Sequence, residues 1–196
     1  MLILDAVNLV FAVVTIGLAF FIKDSLNAFM MNVYFSIFTV GTGRWAKELL
    51  LPYVYLIPEP PFKKLINMLR EQLWSSVAEA TLTFLPFYFI LNTSPLMVLG
   101  MIFAKLSFNF LFIGVNLILQ RFFGNGGNKA LLVFLYFLLA ALCSLPGVAA
   151  GVAMSALVPV FEGVLFFAMA LVNIFAGVII IFCSRNILTT AEYNNK

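Results

Sequence analysis

Glu79, Lys105 and Glu162 are charged side chains that stand within runs of apolar residues. Lys105 lies about ten residues into its run, near mid-bilayer at about 1.5 Å of rise per residue. Glu162 falls a turn or two inside the outer end of the last run, and Glu79 just inside the cytoplasmic end of an earlier one. A lone charge at the centre of a membrane helix costs roughly 2.5–3.5 kcal/mol on insertion scales, so each should face protein or water. Two kinds of chemistry are open to them. Lys105 and Glu162 can pair as a structural salt bridge in the outer half of a bundle. Alternatively, the charges line a substrate path or carry protons, although no series of acids that would make a relay accompanies them.

Other chemistries are excluded by residue type. Histidine is absent, which removes His-based metal sites and Ser-His or Cys-His catalysis. Cys143 and Cys183 lie in apolar segments without CxxC spacing and read as buried packing thiols. The Gly-Asn-Gly-Gly run at 124–127 is a turn with no strand before it, not a phosphate loop. No metal and no cofactor is therefore expected on this chain. The chain is 64% hydrophobic and 10% charged, against about 25% charged for a soluble domain. It reads as an all-α integral membrane protein. Its net charge of +3 is accounted for by basic loops, with no stripe suited to nucleic acid.

The elements that must position these residues are apolar runs of helix length. Six spans are expected, at about 2–22, 26–41, 76–91, 96–119, 130–145 and 157–183, making one transmembrane domain over 1–196. The second is only marginally long. Pro86 interrupts the third, and Pro146-Gly147 marks a break or re-entrant bend after the fifth. With both termini cytoplasmic, the inside segments carry nine Lys/Arg and the outside loops only Lys23, as the positive-inside rule asks. Asn109, Asn116 and Asn173 should hydrogen-bond between helices, while Gly100, Gly114, Gly163 and Gly177 should mark close helix contacts.

Residues 44–74 form the one long stretch that cannot sit in lipid. They hold Arg44, Lys47, Lys63, Lys64 and Arg70, five of the eleven Lys/Arg, together with four of the eight prolines. The second half predicts a cytoplasmic amphipathic helix over 61–74, entered at Pro60-Pro61. Phe62, Leu65, Ile66, Leu69 and Leu73 make its apolar stripe, with Lys63, Lys64, Asn67, Arg70 and Glu71 opposite. Such a helix either rests on lipid or offers a face to a soluble partner.

The run Lys47-Glu48, then Tyr53-Val-Tyr55-Leu-Ile-Pro58, then Pro61-Phe62-Lys63-Lys64-Leu65 resembles the membrane subunits of the bacterial putative ABC exporter family. Those resemble in turn the transmembrane domains of type-2 ABC exporters. The tail Ser184-Arg-Asn-Ile-Leu188 fits the same layout, as does Ala191-Glu192-Tyr193. The resemblance implies a permease subunit driven by a separate ABC ATPase, paired with a second permease copy or a homologous half. Residues 61–74 would be the coupling helix. Tyr53, Tyr55 and Pro58 would set its docking angle, with Phe62, Leu65 and Leu69 entering a groove on the ATPase and Lys63, Lys64 and Arg70 meeting acidic groups at its rim. Family members carry additional spans upstream, so the chain reads as a carboxy-terminal half or a truncated gene.

Two readings compete with this one. A non-transporting membrane protein, such as an assembly factor, immunity protein or regulator, would merely rest its central helix on lipid. An ion-coupled secondary transporter would build a midplane site from Lys105, Glu162 and the Pro146-Gly147 break. An intramembrane enzyme lacks any catalytic pair of plausible spacing.

Overall fold

A computed structural model describes residues 6–41, 60–123, 129–158, 161 and 163–184, and every described element is helical. The elements are α1 (Ala6–Ile22), α2 (Ser25–Gly41), α3 (Pro61–Ile90), α4 (Pro95–Phe123), α5 (Lys129–Leu157) and α6 (Val164–Cys183). Four of them, α3 to α6, are long and apolar enough to cross a membrane. Helices α1 and α2 have 17 residues each, about 26 Å of rise against a hydrocarbon core of about 30 Å.

Short polar turns set the up-and-down order. Lys23 takes positive φ (54°) and closes α1, and the Asp24 carboxylate then accepts the backbone N–H of Leu26 at 2.9 Å to open α2. Asn92 does the same after α3 (φ 48°), with Ser94 Oγ accepting the N–H of Met97 at the start of α4. Gly163 turns into α6 at φ 88°. A Cβ there would stand 3.2 Å from Met97 Cα, so the turn needs glycine for its φ and for its closeness to α4.

Helix α4 is the centre of the bundle, packed against α2, α3, α5 and α6. Its neighbours meet it through an aromatic core. Phe29 of α2 lies with its ring centroid 4.9 Å from Phe166, 5.6 Å from Phe84 and 6.2 Å from Phe108. These distances are those of offset and edge-on ring pairs. The outward faces are apolar as well, with Phe21, Phe89, Leu171 and Phe175 all more than 70% exposed, as helix surfaces meeting lipid tails must be.

Three expectations change. Residues 61–74 are not a separate cytoplasmic helix: they are the first half of α3, which runs unbroken through Pro86 to Ile90. Helix α5 likewise continues through Pro146 to Leu157, so the helix is not broken at Pro146-Gly147 and α6 begins only at Val164. Neighbouring helices make an interior proline tolerable in a membrane, and here α6 closes on α5 beside it. Gly147 and Gly151 admit Asn173 and Met169 so closely that a Cβ would fall 2.1 Å and 2.6 Å from them. The expected glycine contacts are present: Gly100 faces Phe166 and Phe167, Gly114 faces Ile180, and Gly177 faces Phe110. Cys143 is half-buried, whereas Cys183 is exposed on the outside of α6, and neither is in a disulfide.

Candidate functional site

Four helices bring polar side chains to one buried point. Lys105 of α4 is fully buried and Glu79 of α3 nearly so, and Lys105 Nζ donates to Glu79 Oε1 at 2.7 Å. The same ammonium donates to Asn32 Oδ1 of α2. Asn32 Nδ2 donates to Thr15 Oγ1 of α1 at 2.9 Å, and the Thr15 hydroxyl donates to the Phe11 carbonyl at 2.8 Å. The chain of donors therefore runs from α4 through α2 to the backbone of α1, and from α4 to the carboxylate of α3. A buried charge persists when it is both paired and hydrogen-bonded, and both conditions hold for Lys105. The Phe84 ring adds a weaker contact, with its centroid 6.0 Å from Nζ.

The depth of this network follows from helix geometry. Lys105 is about ten residues along α4 from Pro95, and Glu79 about eleven from the other end of the α3–α4 turn at Ile90. Each is about 15–17 Å from that turn, half of a core about 30 Å thick. With that turn at the edge of the hydrocarbon core, the pair falls at mid-membrane. Glu79 was expected near the cytoplasmic end of a span beginning at residue 76; because α3 starts at Pro61, it lies level with Lys105 instead. The expected partner of Lys105, Glu162, lies outside the described residues. The partner that the structure gives to Lys105 is Glu79.

The asparagines expected to bridge helices divide. Asn116 Nδ2 donates to the Gly41 carbonyl of α2 at 3.4 Å, a long bond. Asn173 is fully buried with neither side-chain atom partnered among the described residues, as is Asn109 Oδ1. Asn32 and Thr15, which complete the ionic network, were not singled out in the sequence.

The residues assigned to coupling also divide. Tyr53, Tyr55 and Pro58 lie outside the described residues. Pro61 opens α3 as its first residue. Phe62, Lys63 and Arg70 are exposed and Lys64 is half-buried. Leu65 and Leu69 are buried in the chain's own core at 0% and 6% exposure, so the expectation that they enter another protein's groove is corrected. They fasten the first turns of α3 to the bundle, and Phe62 and Ile66 are the exposed apolar residues of the stripe.

Neither the curated proteins nor the solved structures compared with the chain contained a match. A family model described as "Putative ABC exporter" matches residues 1–192, which takes in all six helices and the polar segment before α3. The chain is thus a membrane protein with a role in an ABC exporter, and it belongs to the Putative ABC exporter family.

Proposed function

We propose that this chain is the membrane-spanning permease subunit of the exporter, with ATP hydrolysis on a separate ATPase chain and no cofactor of its own. The observation that carries the reading is the continuity of α3. One helix of 30 residues joins an end bearing exposed Phe62 and Lys63 and half-buried Lys64 to the buried Glu79–Lys105 pair. A force on its first turns would reach the bundle centre without an intervening hinge. Phe62, Lys63 and Lys64 are the contact residues in this reading, with residues 44–59, including Tyr53, Tyr55 and Pro58, setting the approach. Both termini are cytoplasmic in this arrangement, as the nine basic residues of the inside segments imply. A second permease copy or a homologous half completes the pathway.

The test is co-purification from native membranes of the wild type and of a Phe62→Ala, Lys63→Glu, Lys64→Glu variant. The expected result is an ABC ATPase subunit recovered with the wild type and lost from a variant of unchanged thermal stability. Recovery of no ATPase with the wild type would overturn the reading, and so would equal recovery with both.

A further inference from the structure

A stripe of α3 outside the ionic network forms a shallow open groove of about 370 Å³, lined by Ile66, Leu69, Arg70, Leu73, Trp74 and Val77. These positions repeat at three- and four-residue steps, so they share one helix face. That face is apolar apart from Arg70, which has no hydrogen bond or ion pair to another described residue. Trp74 is 63% exposed on it.

Depth decides what can fill the groove. Arg70 is about nine residues from Glu79 along α3, roughly 14 Å from mid-membrane. Half of the hydrocarbon core is about 15 Å, so the guanidinium stands at the edge of the acyl region, level with lipid headgroups. Trp74 and Val77 lie progressively deeper, among the tails. Lys63 and Lys64 are about two turns further out, beyond the hydrocarbon. The face thus presents apolar side chains at acyl depth, a planar two-pronged donor at phosphate depth, and more positive charge outside it. Arginine matches phosphate oxygens in a bidentate way, and basic residues at the surface favour anionic over zwitterionic lipid.

We infer that this groove is a binding site for an anionic phospholipid of the leaflet on the side where α3 begins, its phosphate on Arg70 and one acyl chain along Leu73, Trp74 and Val77. Arg70, which the family resemblance assigns to the ATPase rim, is on this account a lipid ligand. The site requires no particular partner, so it stands or falls separately from the ATPase contact.

Trp74 is one of two tryptophans in the chain and serves as the reporter. The full chain carrying Trp45→Phe is reconstituted in phosphatidylcholine nanodiscs with increasing phosphatidylglycerol, and either lipid is supplied with brominated acyl chains that quench indole on contact. Brominated phosphatidylglycerol is expected to quench Trp74 at about one-fifth of the mole fraction that brominated phosphatidylcholine requires, the preference one basic contact gives. Arg70→Gln should abolish the preference while leaving quenching by phosphatidylcholine intact, which also shows that the variant is folded and its groove open. Arg70→Lys should retain part of it. Equal quenching by the two lipids in the wild type overturns the inference, as does a preference that survives Arg70→Gln. Absence of quenching by either lipid means that protein covers the groove, and overturns it as well.

Discussion

Removing one member of the Lys105–Glu79 pair should do far more harm than removing both. In Lys105→Met, the Glu79 carboxylate is left at 3% residue exposure and Asn32 Oδ1 loses its donor. In Glu79→Leu, the ammonium keeps only Asn32 as a hydrogen-bond acceptor among the described residues. Leaving one buried charge uncompensated costs roughly 3–5 kcal/mol, so each single variant should be destabilised by that much. The double variant Lys105→Met, Glu79→Leu removes both charges and fills the space with apolar atoms of similar length. Such replacements are often neutral or stabilising, and what remains is the orphaned Asn32 oxygen, worth about 1–3 kcal/mol. Additive singles would predict roughly 6–10 kcal/mol for the double; the expected value is about 1–3 kcal/mol, a coupling of several kcal/mol. The assay is reversible unfolding in mixed detergent micelles followed by circular dichroism, with all four proteins purified alike. Singles that each cost less than about 1 kcal/mol, or a double equal to their sum, would refute the claim that the pair holds the bundle together. Singles of wild-type stability that nevertheless lose transport would instead assign the two charges to the substrate path.

Other elements give sharp expectations. Gly147→Ala should destabilise by about 1–3 kcal/mol through overpacking, since its Cβ would meet Asn173 Oδ1 at 2.1 Å; adding Asn173→Ala should recover most of the loss, and failure to do so in the same unfolding assay sinks the contact. Replacing Ser75 and Ser76 by glycine weakens the middle of α3 by roughly 0.5 kcal/mol per site. The variant should still bind the ATPase yet show reduced transport per ATP hydrolysed, and unchanged coupling in proteoliposomes would count against α3 as a rigid link. Phe29→Ala should cost about 3–5 kcal/mol, because its ring contacts Phe84, Phe108 and Phe166 on three other helices; a melting temperature within a degree or two of wild type would remove Phe29 from the core.

The helical class and the family were legible because composition and apolar run length decide them, and the family motif around Tyr53 to Leu65 is local in sequence. The helix breaks were misread for a physical reason. Pro86 and Pro146 punctuate a soluble sequence strongly, but in a membrane the cost of leaving the helix exceeds the cost of one missing hydrogen bond. The polar residues at 63–71 likewise suggested a separate surface helix, whereas buried Leu65 and Leu69 hold that stretch on the axis of α3. The structure pairs Lys105 with Glu79, its neighbour across a single turn, whereas Glu162 lies outside the described residues. A signal for Glu79 was present: it and Lys105 stand about equally far, roughly 13 residues, on either side of Asn92, where α3 turns into α4. In an antiparallel helical hairpin such residues share a depth. Thr15 and Asn32 are arranged in the same way about the Lys23-Asp24 turn. Which of the many level residues also share a face is set by packing, and no single span discloses it.

The bundle is joined by two kinds of contact, and they differ in what a rearrangement must break. Helices α1 to α4 are tied at mid-membrane by the chain from Thr15 through Asn32 and Lys105 to Glu79. Separating α3 from α4 there would strand charge in a medium that cannot solvate it. Helix α6 meets α4 and α5 through glycines and close-packed apolar side chains instead, and the fully buried Asn173 between them has no partner among the described residues. Sliding or tilting at that seam exchanges one set of dispersion contacts for another and leaves no charge unpaired. On the proposed permease reading, a thrust delivered to the first turns of α3 would carry α1, α2 and α4 as one body, and the seam that yields would be the one with α5 and α6. Cysteine pairs introduced into a background without Cys143 and Cys183 separate the alternatives. A cross-link at the Phe38–Phe137 contact between α2 and α5, where the rings lie 4.7 Å apart, should arrest transport, and one between α3 and α4 on the Phe84 side should not. Arrest by the second with free transport through the first would reverse the assignment of rigid body and seam.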